Sequence, residues 1–157
     1  MGGGPAGVAA AIVASRQGAW VLLVEQTGCL GGMPTNGLVP AFAPYSRTKK
    51  PLIRGIGLEI LEDLRAMGGV GKDPSGFGWI PIDPERLKRV YDELVVREQI
   101  EVLFFTFFSD AIRRGRRLKA VVIENKAGRQ AVVADVFVDA TGDADVAARA
   151  VVAFELT

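Results

Sequence analysis

The sequence predicts an α/β domain with a parallel sheet and an inserted β-meander, and three observations point to this fold. A glycine-rich turn at residues 2–7 opens into an alanine-rich helix, and a continuous apolar run then ends at Glu25. A second apolar run covers residues 101–108, and a hairpin pattern follows it. Continuous apolar runs are typical of strands that are covered on both faces, and strands that alternate with helices indicate a parallel sheet.

The first third of the chain predicts a helix, a strand and a long loop. Proline suits the first turn of a helix over residues 5–17, and Gly18 ends that helix. Residues 19–25 are predicted to form a strand. Residues 26–54 form a loop that is longer than an ordinary connection, which indicates a functional loop.

The middle of the chain predicts two helices. Residues 55–67 carry leucines on one face, and Asp83-Pro84-Glu85 has the N-cap acid and the first-turn proline that begin a second helix. That second helix places an apolar stripe at i, i+3, i+4, i+7 and i+8, which we expect to face a core. The stripe comprises Leu87, Val90, Tyr91, Leu94 and Val95.

The last third predicts mostly strands. Residues 101–108 form one strand, and residues 118–124 and 130–134 form a hairpin. Residues 135–139 form a final strand, and a short helix follows it. We expect one domain over residues 1–157, with residues 26–82 as a loop-and-helix insertion within it.

The glycine-rich turn has the spacing of a dinucleotide-binding turn, because Gly2, Gly4 and Gly7 match G-x-G-x-x-G. In this interpretation Gly2 allows a tight turn, Gly4 lets a pyrophosphate approach the backbone, and Gly7 lets helix and strand pack closely. The helix that starts near Pro5 directs unpaired N–H groups at the phosphates. Glu25 comes at the end of the next strand, where a carboxylate accepts ribose hydroxyls.

The turn normally follows a buried parallel strand, but only Met1 precedes Gly2 in this sequence. Either the chain is a fragment of a longer protein, or another segment fills that position. Without such a strand, the predicted strands at 20–24 and 136–139 lack a shared neighbour. Each buried backbone group left unpaired costs about 1–3 kcal/mol, so we expect weak cofactor binding.

Composition excludes several kinds of function. The 19 basic residues nearly balance the 18 acidic ones, which gives no indication of a nucleic-acid or membrane partner. The chain has no histidine, so a histidine triad is impossible and a transition-metal site is not expected. Cys29 is the only cysteine, and no basic segment precedes the first apolar helix as in a signal peptide. We therefore expect a cytoplasmic protein without a metal.

Several stretches of the chain resemble the FAD-dependent oxidoreductases, whose Rossmann-like FAD/NAD(P)-binding fold is also found in glutathione reductase. These stretches are GGGPAGVAAA from residue 2, VLLVEQ from 21, LGGM from 30, DPERLK from 83 and DATGDADVAARA from 139. The resemblance covers nearly the whole chain but only the first part of such a protein, so we expect a fold that is incomplete at both ends. It implies FAD as the cofactor.

The resemblance also implies which residues hold that cofactor. The glycine-rich turn at residues 2–7 would surround the pyrophosphate, and Glu25 would bind the AMP ribose. Residues within 31–35 would line the path from the pyrophosphate to the flavin ring, and residues 141–143 would close the site. The residues are Gly2, Gly4, Pro5, Ala6, Gly7, Glu25, Gln26, Gly31, Gly32, Met33, Thr35, Thr141, Gly142 and Asp143. No catalytic acid, base or nucleophile is identified.

Two other functions remain open. An NAD(P)-binding domain shares the fold, but the Gly31-Gly32-Met33 segment and the β-meander favour FAD. A non-catalytic module would use exposed strand edges to pair with another chain. A homo-oligomer, a partner that supplies the absent strand, and a small-molecule substrate of unknown identity are equally open.

Overall fold

The structure is a computed structural model that describes residues 1–44, 46–47, 50–73 and 78–153. Its elements are four helices and nine strands within those residues. In chain order they are α1 (Pro5–Arg16), β1 (Leu22–Val24), β2 (Ala41–Phe42), β3 (Ser46–Arg47), β4 (Lys50–Pro51), α2 (Ile56–Ala66), β5 (Ile80–Pro81), α3 (Pro84–Arg97), β6 (Glu101–Leu103), β7 (Phe107–Arg114), β8 (Arg117–Asn125), β9 (Gly128–Val133) and α4 (Asp145–Arg149).

The parallel part of the fold is a two-stranded pair of β1 and β6, within the residues described. Leu22 lies opposite Glu101, and Val24 lies opposite Leu103. The pairing continues past both strands, because Glu25 N–H donates to the Leu103 carbonyl (2.8 Å) and Thr106 N–H donates to the Glu25 carbonyl (3.0 Å). This pair is shorter than the parallel sheet that the sequence predicts, and it fixes where Glu25 leaves the sheet.

The prediction of a strand at residues 135–139 is wrong, because these residues pair with no strand in the described part of the chain. The end of this segment is instead bound through the backbone to Met1: the Met1 ammonium donates to the Val138 carbonyl (2.8 Å), and Ala140 N–H donates to the Met1 carbonyl (2.8 Å). On the other side, Gly2 N–H donates to the Val24 carbonyl at the end of β1 (2.9 Å). Met1 and Gly2 thus lie between β1 and residues 138–140, and Val136 stays 78% exposed.

The β-meander is present as an antiparallel sheet in the order β7-β8-β9, which agrees with the predicted hairpin. The prediction of one strand over residues 101–108 is wrong, however. The extended conformation is interrupted between β6 and β7 at Phe105, whose φ of 49° lies in the left-handed region. A residue in that region cannot continue a ladder, so β7 leaves the parallel pair and begins a separate sheet.

Three helices pack into the main core. The α3 stripe is buried as predicted, and Asp83 caps that helix by accepting the N–H groups of Glu85 (2.9 Å) and Arg86 (3.2 Å). Ile12 of α1 and Leu64 of α2 are fully buried in the same cluster. A second, smaller core lies under the meander and contains Val24, Val121, Ile123 and Val146.

The predicted loop at residues 26–54 contains the short strands β2, β3 and β4, although residues 45, 48 and 49 lie outside the described residues. β2 pairs with β5, which joins the loop to the segment that leads into α3. The predicted insertion at 26–82 also includes residues 74–77, which are not described. No helix in the described part of the chain is both long and apolar enough to span a membrane.

Charged side chains join the three large helices on their exposed side. The Arg16 guanidinium donates to Glu59 of α2 (2.8 and 2.9 Å) and to Glu98 at the end of α3 (2.7 Å). Arg97 also contacts Glu59. The hydrogen bond from Arg16 lowers the pKa of both carboxyl groups below the ordinary value. Because these pairs are partly exposed, they fix helix orientation more than they stabilise the fold.

Asp139 holds the start of α4. Its carboxylate accepts the Thr141 hydroxyl (2.7 Å), the Thr141 N–H (3.2 Å) and the Ala147 N–H (2.9 Å). Burial alone would raise the pKa of Asp139, but the hydrogen bonds from Ala147 and Thr141 outweigh it and leave this pKa below its ordinary value. The charged form of Asp139 therefore stabilises the fold.

We predict that Asp139→Asn lowers the free energy of unfolding by about 1–2 kcal/mol near neutral pH, because hydrogen bonds to a charged acceptor are weakened. The folded pKa of Asp139 is depressed, so its contribution is fully present above the ordinary value of about 3.9 and is lost as pH falls towards the folded value. Urea unfolding at about pH 7 and about pH 3.5 should therefore show a smaller difference between variant and wild type at the lower pH.

Asp135→Asn is the matched control, because Asp135 is an exposed aspartate on the same segment. Its unfolding free energy should follow that of the wild type at both pH values. A difference between Asp139→Asn and wild type that stays constant with pH would contradict the assignment.

Candidate cofactor site

A cavity of about 650 Å³ opens at the carboxyl ends of β1 and β6. Its walls are the first turn of α1, the loop after β1 and residues 140–145. Most of the predicted site residues line it: Gly2, Gly4, Pro5, Ala6, Glu25, Gln26, Gly32, Met33, Thr141, Gly142 and Asp143. We call it the glycine-turn cavity. Ligands of open parallel sheets bind at this edge.

Each glycine of the turn has a distinct geometric reason. Gly2 has a φ of 90°, and a Cβ on it would lie 2.2 Å from the Ala140 carbonyl oxygen. A Cβ on Gly7 would lie 1.8 Å from the Gly2 carbonyl oxygen. A Cβ on Gly4 would instead meet no atom within 4 Å. Gly2 and Gly7 therefore permit close packing, whereas Gly4 leaves bare backbone next to open space.

The start of α1 is suited to an anion. Gly4 is its N-cap residue, no side chain caps the helix, and its first turn contains no acidic residue. The first N–H groups of a helix have no acceptor within the helix, and the helix dipole places partial positive charge there. The first turn of α1 therefore directs N–H donors and positive potential at the cavity, as the pyrophosphate of a dinucleotide requires.

Glu25 is 6% exposed and already accepts three hydrogen bonds. Its Oε2 accepts the Gly3 N–H (2.7 Å), and its Oε1 accepts both the N–H (2.8 Å) and the hydroxyl (2.7 Å) of Thr27. A carboxylate has about four acceptor positions, so one position on Oε2 stays available. Glu25 thus orients the turn as well as facing the cavity, a role that the sequence does not reveal.

Three predicted site residues do not line the cavity but lie behind it. Gly7 packs on the turn, and Gly31 N–H donates to the Gly3 carbonyl (2.8 Å). Thr35 is 1% exposed, and its hydroxyl donates to the Leu30 carbonyl (2.9 Å). Gly31 and Thr35 therefore shape the loop that supports the turn.

The last site segment divides into a bound residue and an accessible one. The Thr141 hydroxyl donates to Asp139 and accepts the Asp145 N–H (2.9 Å), so it is used inside the protein. Gly142 has a φ of 97°, which turns the chain beside the cavity. Asp143 is exposed and lines the cavity, and its carboxylate has no hydrogen-bond partner in the described part of the chain. Asp143 and Asp145, which also lines the cavity and is exposed, are therefore the exposed acidic side chains that a ligand in the cavity can reach.

Sequence reasoning missed several cavity residues. Thr27, Asn36 and Thr106 also line the cavity. A hydroxyl two residues after Glu25 is a detectable signal for Thr27, but nothing in the sequence indicates Asn36. No group of three or more His, Cys, Asp or Glu side chains that could hold a metal occurs among the described residues.

Several solved structures share this fold over most of this chain. THI4 of Thermovibrio ammonificans has a TM-score of 0.66 at 20% identity, over 94% of this chain and 58% of its own. The p-nitrophenol 4-monooxygenase of Pseudomonas putida has a TM-score of 0.58 at 14% identity, over 83% of this chain and 36% of its own. A geranylgeranyl bacteriochlorophyll reductase-like protein of Thermoplasma acidophilum has a TM-score of 0.59 at 15% identity, over 86% of this chain and 36% of its own.

These likenesses concern the fold, and this chain spans roughly a third to three fifths of those chains. No protein with curated information matches the sequence. The sequence profile of the FAD dependent oxidoreductases matches residues 1–157, the full length given. The chain therefore belongs to the FAD-dependent oxidoreductase family.

Proposed function

We propose that this chain binds the ADP portion of FAD and forms the dinucleotide-binding part of an oxidoreductase. One observation carries the proposal: the bare backbone at Gly4 and the uncapped start of α1 face the same cavity as Glu25 and Asp143. Donors for a diphosphate and acceptors for sugar hydroxyls thus meet at the edge of a parallel strand pair, and this is the donor and acceptor set that FAD requires.

The residues of this chain would bind and orient the cofactor. The first-turn N–H groups of α1 would donate to the pyrophosphate, and Gly4 would let it approach because no side chain intervenes. The available acceptor position on Glu25 would take a ribose hydroxyl, and Asp143 would accept a hydroxyl from another part of the cofactor. The bound flavin would supply electron or hydride transfer.

The substrate and the catalytic residues lie beyond this proposal, because the chain spans only part of the related structures. The cytoplasmic location and a homo-oligomeric state stay predictions. An NAD(P)-binding function receives no specific support from the structure, and membership of an FAD-dependent family favours flavin.

We predict that Gly4→Asp abolishes FAD binding without destabilising the protein. Aspartate is a better N-cap residue than glycine by a few tenths of a kcal/mol, and Gly4 has φ −71° and ψ −178°, which any residue adopts. Its carboxylate would accept the first-turn N–H groups and repel the pyrophosphate. Fluorescence titration with FAD measures binding, and thermal unfolding measures stability.

Ala131→Asp is the matched control, because it adds the same charge at an exposed position of β9, away from the cavity. It should retain FAD as the wild type does. Wild-type protein that shows no FAD binding in the titration would count against the proposal, and so would a Gly4→Asp variant that binds FAD as tightly as the wild type.

We further predict that fusing a strand of about six apolar residues ahead of Met1 raises FAD affinity at least about tenfold. The added strand would hydrogen-bond to both β1 and residues 136–138, between which Met1 already lies. It would also cover Val136 and Val138, which are 78% and 51% exposed. FAD titration and amide exchange of residues 22–24 measure the effect.

An extension of the same length made of Gly and Ser is the control, because it adds chain without apolar side chains. Its affinity for FAD should stay close to that of the unextended protein. An apolar extension that changes neither FAD affinity nor amide exchange would refute the idea that this position takes a strand.

A further inference from the structure

We infer that Thr27, held by Asn36, is a positioning residue that fixes the Glu25 carboxylate for the AMP ribose of FAD. This inference rests on the proposed FAD binding. It adds a specificity device to it: the Thr27–Asn36 pair makes the cavity prefer FAD over FMN, which lacks the AMP ribose. We call Cys29, Asn36, Thr27 and Glu25, with their hydrogen bonds, the Glu25 relay.

Within the relay, Thr27 donates two hydrogen bonds to one oxygen of Glu25. Its N–H (2.8 Å) and its hydroxyl (2.7 Å) both lie within hydrogen-bond distance of Glu25 Oε1. The same hydroxyl lies 3.0 Å from the Cys29 carbonyl oxygen, a longer and weaker alternative acceptor. These contacts occupy Oε1, so the remaining acceptor position of the carboxylate is on Oε2.

Asn36 sets the direction of the Thr27 hydroxyl. Its Nδ2 donates to Thr27 Oγ1 (2.6 Å), and its Oδ1 accepts the Cys29 thiol (3.0 Å). Because Thr27 Oγ1 accepts from Asn36, its own proton is directed at an acceptor, and Glu25 Oε1 is the nearer of the two. Asn36 is thereby held at both ends of its amide, although its side chain lies at the cavity wall.

The other end of the relay is the glycine turn. Glu25 Oε2 accepts the Gly3 N–H at 2.7 Å, and this bond is buried. If Thr27 lost its hydroxyl, the carboxylate would keep one N–H donor on each oxygen but would lose one of its three hydrogen bonds and be held less tightly. Its remaining acceptor position would then be held less firmly for a ribose hydroxyl, and the bond from the Gly3 N–H would weaken with it.

The test compares Thr27→Val, which removes the hydroxyl at similar volume, with Thr27→Ser, which retains it. Fluorescence titrations with FAD and with FMN give two dissociation constants for each protein. Thr27→Val should weaken FAD binding about tenfold, the effect of losing one hydrogen bond to a charged group, and leave FMN binding unchanged. Thr27→Ser should restore FAD binding. Asn36→Leu should shift the ratio of the FAD and FMN dissociation constants in the same direction as Thr27→Val.

Ser15→Ala is the control, because it deletes a partly buried hydroxyl that donates to the Glu98 carbonyl, away from the cavity. The ratio of its FAD and FMN dissociation constants should equal that of the wild type. A Thr27→Val variant that weakens FAD and FMN equally has lost structure and not selectivity, and would overturn the inference. An unchanged ratio in Asn36→Leu would overturn the part assigned to Asn36.

Amide exchange of Gly3 in protein without cofactor separates this inference from the proposed function. Thr27→Val should speed that exchange several-fold, and Thr27→Ser should not. Wild-type protein that binds no flavin, with Gly3 exchange that responds to Thr27, would reject the proposed function but keep the relay. Gly3 exchange that is the same in all three proteins would reject the relay.

Discussion

The position of the whole site depends on how β1 ends. Pairing with β6 fixes that strand, and its last carbonyl, on Val24, accepts the Gly2 N–H. The next residue, Glu25, then accepts the Gly3 N–H through its side chain. Two consecutive residues of one strand end thus hold two consecutive residues of the glycine turn, and the first turn of α1 takes its direction from them.

Two hydrophobic cores surround this strand end. The α1–α2–α3 cluster supports the turn and the loop from one side, and the meander cluster, with Val24 and Val146, supports them from the other. The cavity lies beside the second cluster, with Val24 in its lining, and the backbone donors of the glycine turn and the Glu25 carboxylate face it. The polar groups there are held by hydrogen bonds to one another, which is how buried polar networks keep a single geometry.

Local signals made much of this arrangement predictable from the sequence. Glycine spacing, the α3 cap at Asp83 and the hairpin predicted from residues 118–124 and 130–134 each depend on neighbouring residues, and the structure has each of them. The break at Phe105 was not predictable, because an apolar residue in the left-handed region carries no sequence signal. Residues 135–139 have the sequence pattern of a strand, but among the described residues their neighbour is Met1 and not a strand. Strand pairing depends on tertiary contacts, so the local pattern does not predict it.

The site residues follow the same division. Gly2 and Gly4 were identified from the glycine spacing and Asp143 from the family resemblance, and all three line the cavity. Thr35 was identified by the same kind of sequence signal as Asp143, but its side chain turns inward, because its hydroxyl donates to the Leu30 carbonyl of its own loop. Thr27 and Asn36 escaped notice because their importance arises from a contact across nine residues, and spacing alone does not predict it.

The bonds that close the cavity also have a consequence for folding kinetics. The Met1 ammonium and the Val138 carbonyl are 137 residues apart in the chain, and Gly3 and Glu25 are 22 apart. The meander, by contrast, is made of hairpins between neighbouring strands. Long-range contacts form late, because closing long segments of chain loses much conformational entropy before any contact compensates. The glycine-turn cavity is therefore expected to close last, after the helices and hairpins around it have formed.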